Sequence, residues 1–221
     1  MDARTAKQLT GGLAQTTKMP CPSWSIPARE CKTGGKLVNV EGSTCASCYA
    51  LKGNYMRFRK TVEPSQYRRM ELAEGKGWVD AMVVLIRNNV YFRWFDSGDL
   101  QSVEMLERIV EIAQRTPRTT HWLPTREYGV VKKFLDRHGQ EAIPANLIVR
   151  LSALFIDRSA VVPASLQGHP QIKTSTVYSR HTEVPTAYRV CPAYSGEQKG
   201  YCGDCRACWD TTVETVAYRA H

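Results

Sequence analysis

The rhythm of apolar residues changes twice along the chain. Between about residue 64 and residue 182 they recur with a helical or strand period; on either side they are scattered among Gly, Pro, Ser and Thr. Pro64-Ser65 opens a predicted helical stretch that Trp78 to Ile86 continues, with Gly75 and Gly77 as breaks. Val90 to Phe95 is aromatic and β-branched, the composition of a strand. Ser102 is placed to cap a helix that runs through Arg115 with Leu106, Ile109, Val110 and Ala113 on one face. Thr120 to Leu123 reads as a short strand. Glu127 to His138 reads as a helix, with Val130, Val131, Phe134 and Leu135 turned inward and Gly139 as its stop. Leu147 to Leu151 and Ile172 to Tyr178 are two further strands.

Strands and helices alternating at such short spacing predict right-handed βαβ units and a parallel sheet. The expected class is α/β: a partial (βα) barrel or open parallel sheet with cysteine-rich N- and C-terminal extensions. The organisation is residues 1–63, 64–182 and 183–221, forming one compact unit. Ligands of such sheets bind beyond the carboxyl ends of the strands. Polar residues gather at those ends: Asp96-Ser97-Gly98-Asp99, then Thr125-Arg126, then Ser152 and Asp157, then Arg180-His181. Asp96, Asp99, Arg126 and His181 are the candidate catalytic residues. Gly98 permits a tight turn between the two acids, whose expected partners are Arg93, Arg126 or Arg150.

Composition narrows the picture. The longest apolar run, Ala81 to Ile86, is too short to span a bilayer, and the first residues lack an apolar signal core. A cytoplasmic location is therefore expected, without membrane association. In that compartment eight cysteines call for an explanation other than disulfides. The net charge of +9 is compatible with a polyanionic partner such as nucleic acid, and equally with a solvated basic surface.

The cysteines fall into two sets. Cys191, Cys202, Cys205 and Cys208 carry two successive x2 spacings and a distant cysteine followed by Pro192. That run suits one corner of an iron–sulfur cubane, each thiolate on its own iron, better than the paired knuckles usual for zinc. Cys21, Cys31, Cys45 and Cys48 contain one C-x2-C knuckle and suit zinc or a cluster by spacing alone. One or two iron–sulfur clusters, [4Fe-4S] in type, are expected, with zinc as the alternative. Ligands from both ends of the chain sharing a site are also compatible with the spacing. Metal would stabilise end zones that lack an apolar period of their own, so a purely structural role competes with a functional one. The C-x3-C-x2-C signature of adenosylmethionine radical enzymes is absent, as are a nucleophile elbow and a phosphate-binding loop. Among the histidines, His121 reads as a packed strand residue and His138 as a helix C-terminus. Trp24, Tyr49, Tyr201 and Trp209 flank cysteines, where rings shield a cluster from water or stack on bases.

Pro20-Cys21-Pro22-Ser23 with Ser25-Ile26-Pro27-Ala28, Cys45-Ala46-Ser47-Cys48-Tyr49-Ala50, and Arg93-Trp94-Phe95-Asp96-Ser97-Gly98-Asp99 together resemble the gene product 88 family of phage proteins. Thr125-Arg126 stands where a Thr-Lys type pair is expected. The resemblance spans about residues 15 to 208, and it places the protein in the host cytoplasm. A looser similarity to the partial barrels of radical adenosylmethionine enzymes implies cysteine sites near the mouth of an α/β half-barrel. The expected function is an iron–sulfur phage protein, a redox or radical-type enzyme acting on a small-molecule substrate. The alternative is a zinc-stapled basic module that binds nucleic acid or a host protein.

Overall fold

Asp2 starts the first helix, α1 (Ala3–Thr10), by accepting the Thr5 amide at 2.8 Å, and Gly11 ends it in the left-handed conformation. The structure, a computed structural model, describes residues 1–194 and 200–220; residues 195–199 of the C-terminal cysteine zone and His221 lie outside it. Two short strands follow α1, β1 (Ala14–Gln15) and β2 (Pro22–Trp24), and then helices α2 (Lys32–Leu37), α3 (Gly53–Arg57), α4 (Arg59–Leu72) and α5 (Trp78–Ile86). The alternating region comprises β3 (Tyr91–Trp94), α6 (Val103–Arg115), β4 (Thr120–Thr125), α7 (Tyr128–His138), β5 (Leu147–Ser152) and β6 (Ile172–Tyr178). The chain closes with β7 (Arg189–Val190) and β8 (Thr215–Arg219).

The eight strands among the described residues form one open sheet in the order β1-β2-β3-β4-β5-β6-β8-β7. Every pairing is parallel except that of β1 with β2. From β2 to β6 spatial order follows chain order. With right-handed crossovers, the connecting helices therefore fall on one face. That face holds the main core: Trp24, Phe92, Trp94, Leu123, Val149 and Leu151 pack against Met82, Ile86, Leu106, Ile109 and Phe134 of α5, α6 and α7. The opposite face presents Arg93, Trp122 and Arg150, which alternate with these core residues along β3, β4 and β5.

The sequence pattern needs correction at several elements. The helix expected to open at Pro64 begins at Arg59, with Pro64 in its second turn. The expected boundary at residue 63 thus falls inside α4. β4 continues through Pro124 to Thr125. Its pairing with β3 ends at Arg93 opposite Trp122, so the missing proline N–H breaks no ladder on that side. The two cysteine-rich zones are not appendages: they supply β1, β2, β7 and β8, and Trp24 and Ile26 are fully buried. Among the described residues no helix is long and apolar enough to cross a membrane.

His121 lies on the core face of β4. Its ring sits between Trp94 Nε1, at 3.3 Å, and Thr116 Oγ1, at 2.8 Å, and burial pushes its pKa down to about 3. The unfolded chain takes up that proton near 6.5, so between pH 6.5 and 3 the unfolded state binds a proton the folded state refuses. Stability therefore falls as pH falls through this window, by up to about 1.4 kcal/mol per pH unit from this group. Denaturant melts from pH 7 to pH 4 are expected to show a shallower loss in His121→Gln than in the wild type. Parallel profiles would refute the assignment.

Candidate functional site

β3 ends in a turn whose backbone is forced. Phe95 has φ of 52°, rare for a bulky residue, and its amide donates to Trp24 O at 2.7 Å. Beyond it Asp96 turns inward. Its carboxylate accepts from Ser23 Oγ at 2.8 Å and Tyr55 Oη at 2.7 Å, and its carbonyl accepts from Tyr49 Oη. Arg93 Nη2 donates to the same Tyr49 oxygen at 3.1 Å. Gly98 has φ of 79°, and a Cβ there would stand 2.3 Å from Ile26 Cγ1 and 2.7 Å from Ile26 O. The turn thus fits only glycine, and it delivers Asp99 to the end of β4. Asp99 accepts from Thr125 Oγ1 at 2.6 Å, the Leu100 amide at 2.8 Å and the Arg126 amide at 2.9 Å. Burial pushes its pKa up to about 6, while these three donors pull in the opposite direction.

Three cysteines surround this corner. Cys31 heads α2, and Cys45 and Cys48 share one turn closed by the Cys48 amide on Cys45 O at 3.1 Å. The sulfurs of Cys45 and Cys31 lie 3.5 and 3.8 Å from where a Cβ on Gly34 would stand, so they flank that glycine. Asp99 and Arg126 both act electrostatically on Cys31 and Cys45, as does Cys48. Arg126 Nε donates to Thr44 Oγ1 at 3.1 Å, which latches the Cys45 turn to the end of β4. Glu127 accepts from the amide and hydroxyl of Thr33 at 2.7 and 3.0 Å and fixes α2 to the start of α7. Three thiols, a carboxylate and a guanidinium thus share the carboxyl ends of β3 and β4.

The remaining five cysteines form a second group on the sheet face opposite the helices. Cys21 is influenced by Cys202 and Cys208, Cys191 by Cys202 and Cys205, and Cys208 by Cys191. The Cys202 amide donates to Lys18 O at 2.9 Å, which joins the two ends of the chain, and the Cys191 amide donates to Ala217 O at 2.8 Å within the C-terminal zone. Trp209, beside Cys208, donates to Phe92 O at 2.9 Å and packs edge-on to Trp122. Arg93 lies over the Trp122 ring at 4.5 Å. Arg150 is fully buried, and all five of its hydrogen bonds end on carbonyl oxygens: Cys208, Thr174, Glu214, Ala207 and Asp210. Among the described residues it forms no direct ion pair, and the carboxylates of Asp210 and Glu214 act on it only from a distance. Burial pushes the thiols of Cys21 and Cys208 up to about 12, and those of Cys191 and Cys202 upward as well. All eight cysteines are free.

A model of the family described as Gene product 88 matches residues 2–211. The chain belongs to that phage family. No curated protein and no solved structure matches it. Of the residues singled out in this gene product 88 protein, Asp96, Asp99 and Arg126 do meet at the strand ends, with Cys31, Cys45 and Cys48. The cysteines, four at each end of the sequence with sharing between the ends left open, stand in the structure as groups of three and five. β2 explains the change: Cys21 precedes it and Cys31 lies beyond its far end, so the strand carries them to different sites. His181 is exposed in the turn after β6, apart from this cluster of hydrogen bonds. Arg150, expected beside the acids, instead holds the C-terminal segment. Tyr55, Thr33 and Glu127 escaped notice because nothing in their local spacing marks them; only the fold brings them to the corner.

Proposed function

We propose that this gene product 88 protein is an iron–sulfur enzyme with two centres. Cys202, Cys205 and Cys208, with Cys191 or Cys21 as the fourth ligand, hold one cluster, and Cys31, Cys45 and Cys48 hold the other. The observation that carries the reading is the buried cation Arg150, which forms no ion pair among the described residues and acts on the Cys208 thiol, while Arg93 acts on the thiols of Cys21, Cys202 and Cys208. An unbalanced buried charge is costly. A thiolate-bound cluster is anionic and would supply a countercharge in direct reach of these guanidinium groups.

The donor set fits such a group. It consists of thiols alone, in buried or half-buried positions lined by Trp122, Trp209 and Tyr91. Among the described residues no three His, Cys, Asp or Glu side chains converge closely enough to grip one metal ion. The successive x2 spacings of Cys202, Cys205 and Cys208 favour a cluster, whose thiolates sit on separate irons, over a single zinc ion. A cluster on three thiolates supplies one-electron chemistry at an iron without a protein ligand. The chain's own part there is positional. Arg126 presents a fixed positive charge, Asp99 an acceptor held by three donors, and Tyr49 and Tyr55 lock the Asp96 turn. A redox or radical-type reaction on a small molecule at the strand ends is the activity this arrangement suits.

Protein purified without oxygen should be brown and carry about eight iron and eight sulfide per chain. Cys45→Ser and Cys205→Ser should each lose about half of both. Zinc in place of iron and sulfide, or full iron retention in either variant, would overturn the reading.

A further inference from the structure

Away from both cysteine groups, α1 and α4 border a cleft of about 550 Å³ lined by Arg4, Lys7, Gln8, Gly11, Ser65 and Arg68. It holds three cations and no acid. Arg4, Lys7 and Arg68 are exposed, and among the described residues none of them forms an ion pair. The exposed arginines Arg29, Arg59, Arg115 and Arg137 are each matched to a carboxylate, whereas among the described residues Arg57, Arg87 and Arg118 also stand without one; what sets the cleft apart is that three such cations line one hollow. The cleft floor is rigid. Arg69 Nε donates to Gly12 O at 3.1 Å beneath it, and a Cβ on Gly11 would stand 2.7 Å from Arg69 Cγ.

An aromatic ring stands at the N-terminal end of α4. Thr61, Ser65 and Arg68 follow one another along the helix at spacings of four and three residues, and Phe58 is its N-cap residue, three before Thr61. Phe58 is 53% exposed at its start, with the Arg57 guanidinium 5.5 Å from the ring centre. From Phe58 to Arg68 the helix rises about 15 Å. Water-exposed aromatic surface at the end of a run of unpaired cations is the pairing that single-stranded nucleic acid needs: cations for phosphates and a ring face for a base.

We propose that the α1–α4 cleft binds single-stranded nucleic acid, with Arg4, Lys7 and Arg68 on successive phosphates and Phe58 stacked on a base. Duplex DNA is disfavoured, because its bases are not free to stack on Phe58.

Fluorescence anisotropy tests this with a labelled single strand of about 16 nucleotides, as DNA and as RNA. Competitors are the matching duplex and vesicles containing anionic lipid. Binding should weaken with salt. The triple variant Arg4→Gln, Lys7→Gln, Arg68→Gln should lower the slope of log affinity against log salt by about 2. Phe58→Ala should weaken the single strand by roughly tenfold and leave its salt slope unchanged. All four side chains are exposed, so circular dichroism and melting should match the wild type; Arg68→Glu alone serves as a second variant and should weaken binding further than Arg68→Gln. Failure to bind any oligonucleotide, preference for the duplex with no effect of Phe58→Ala, preference for the vesicles, or an unchanged salt slope in the triple variant would each overturn the proposal.

Discussion

Arg150→Ala is expected to destabilise the protein by at least about 3 kcal/mol and to release residues 202–210 from the sheet. The guanidinium satisfies five carbonyls that belong to two separate parts of the chain. Truncation leaves buried acceptors unpaired, at about 1–3 kcal/mol for each one that water cannot reach. It also opens a void in the inner face of β5. Arg150→Lys keeps the charge but offers donors from a single point, so it should fall between the wild type and alanine. Thermal melts with limited proteolysis check this. An alanine variant that melts with the wild type and keeps 202–210 protected would show that Trp209 and its neighbours dock the segment unaided.

Gly98→Ala is the second large effect, and here stability and site fail together. The left-handed backbone costs a β-carbon about 1–2 kcal/mol. The contacts at 2.3 and 2.7 Å with Ile26 force either β2 or the turn to move, at about 1–3 kcal/mol more. The turn moves more easily than the buried strand, and it carries Asp99. Loss of the iron proposed at Cys31, Cys45 and Cys48 should therefore accompany the lower melting temperature. Gly129→Ala, with nothing within 4 Å of its Cβ position, is the matched control and should be close to neutral.

The elements with a sustained period were legible from sequence. Helix α6 lies where Ser102 and its apolar stripe put it, with the Ser102 hydroxyl accepting the Met105 amide at 3.1 Å. β6 has its expected limits. The strands β1, β2, β7 and β8 were not legible. Three of them, β1, β2 and β7, run for only two or three residues, too short to show any alternation, and they exist because a neighbouring strand offers a ladder. Site legibility divides in the same way. Asp96 and Asp99 could be read because they follow a clear strand. The grouping of the cysteines could not, because spacing records distance along the chain and not which end of β2 a residue occupies. Arg150 read as a partner for acids; only the tertiary structure shows it bonded to carbonyls.

The meeting of Lys18 with Cys202, and of Phe92 with Trp209, sets an order of events during synthesis. The strands from β2 to β6 can pair as they leave the ribosome, each beside the one before. The face bearing Tyr91 and Trp122 then has no cover until the last part of the chain arrives, some 180 residues after Lys18. Contacts so distant in sequence form last. The nascent protein therefore passes through a stage with a finished helical layer and a bare aromatic sheet face, and this is the stage at which aggregation competes with folding. Overproduction at low temperature, which slows synthesis and weakens apolar association, favours the correct outcome.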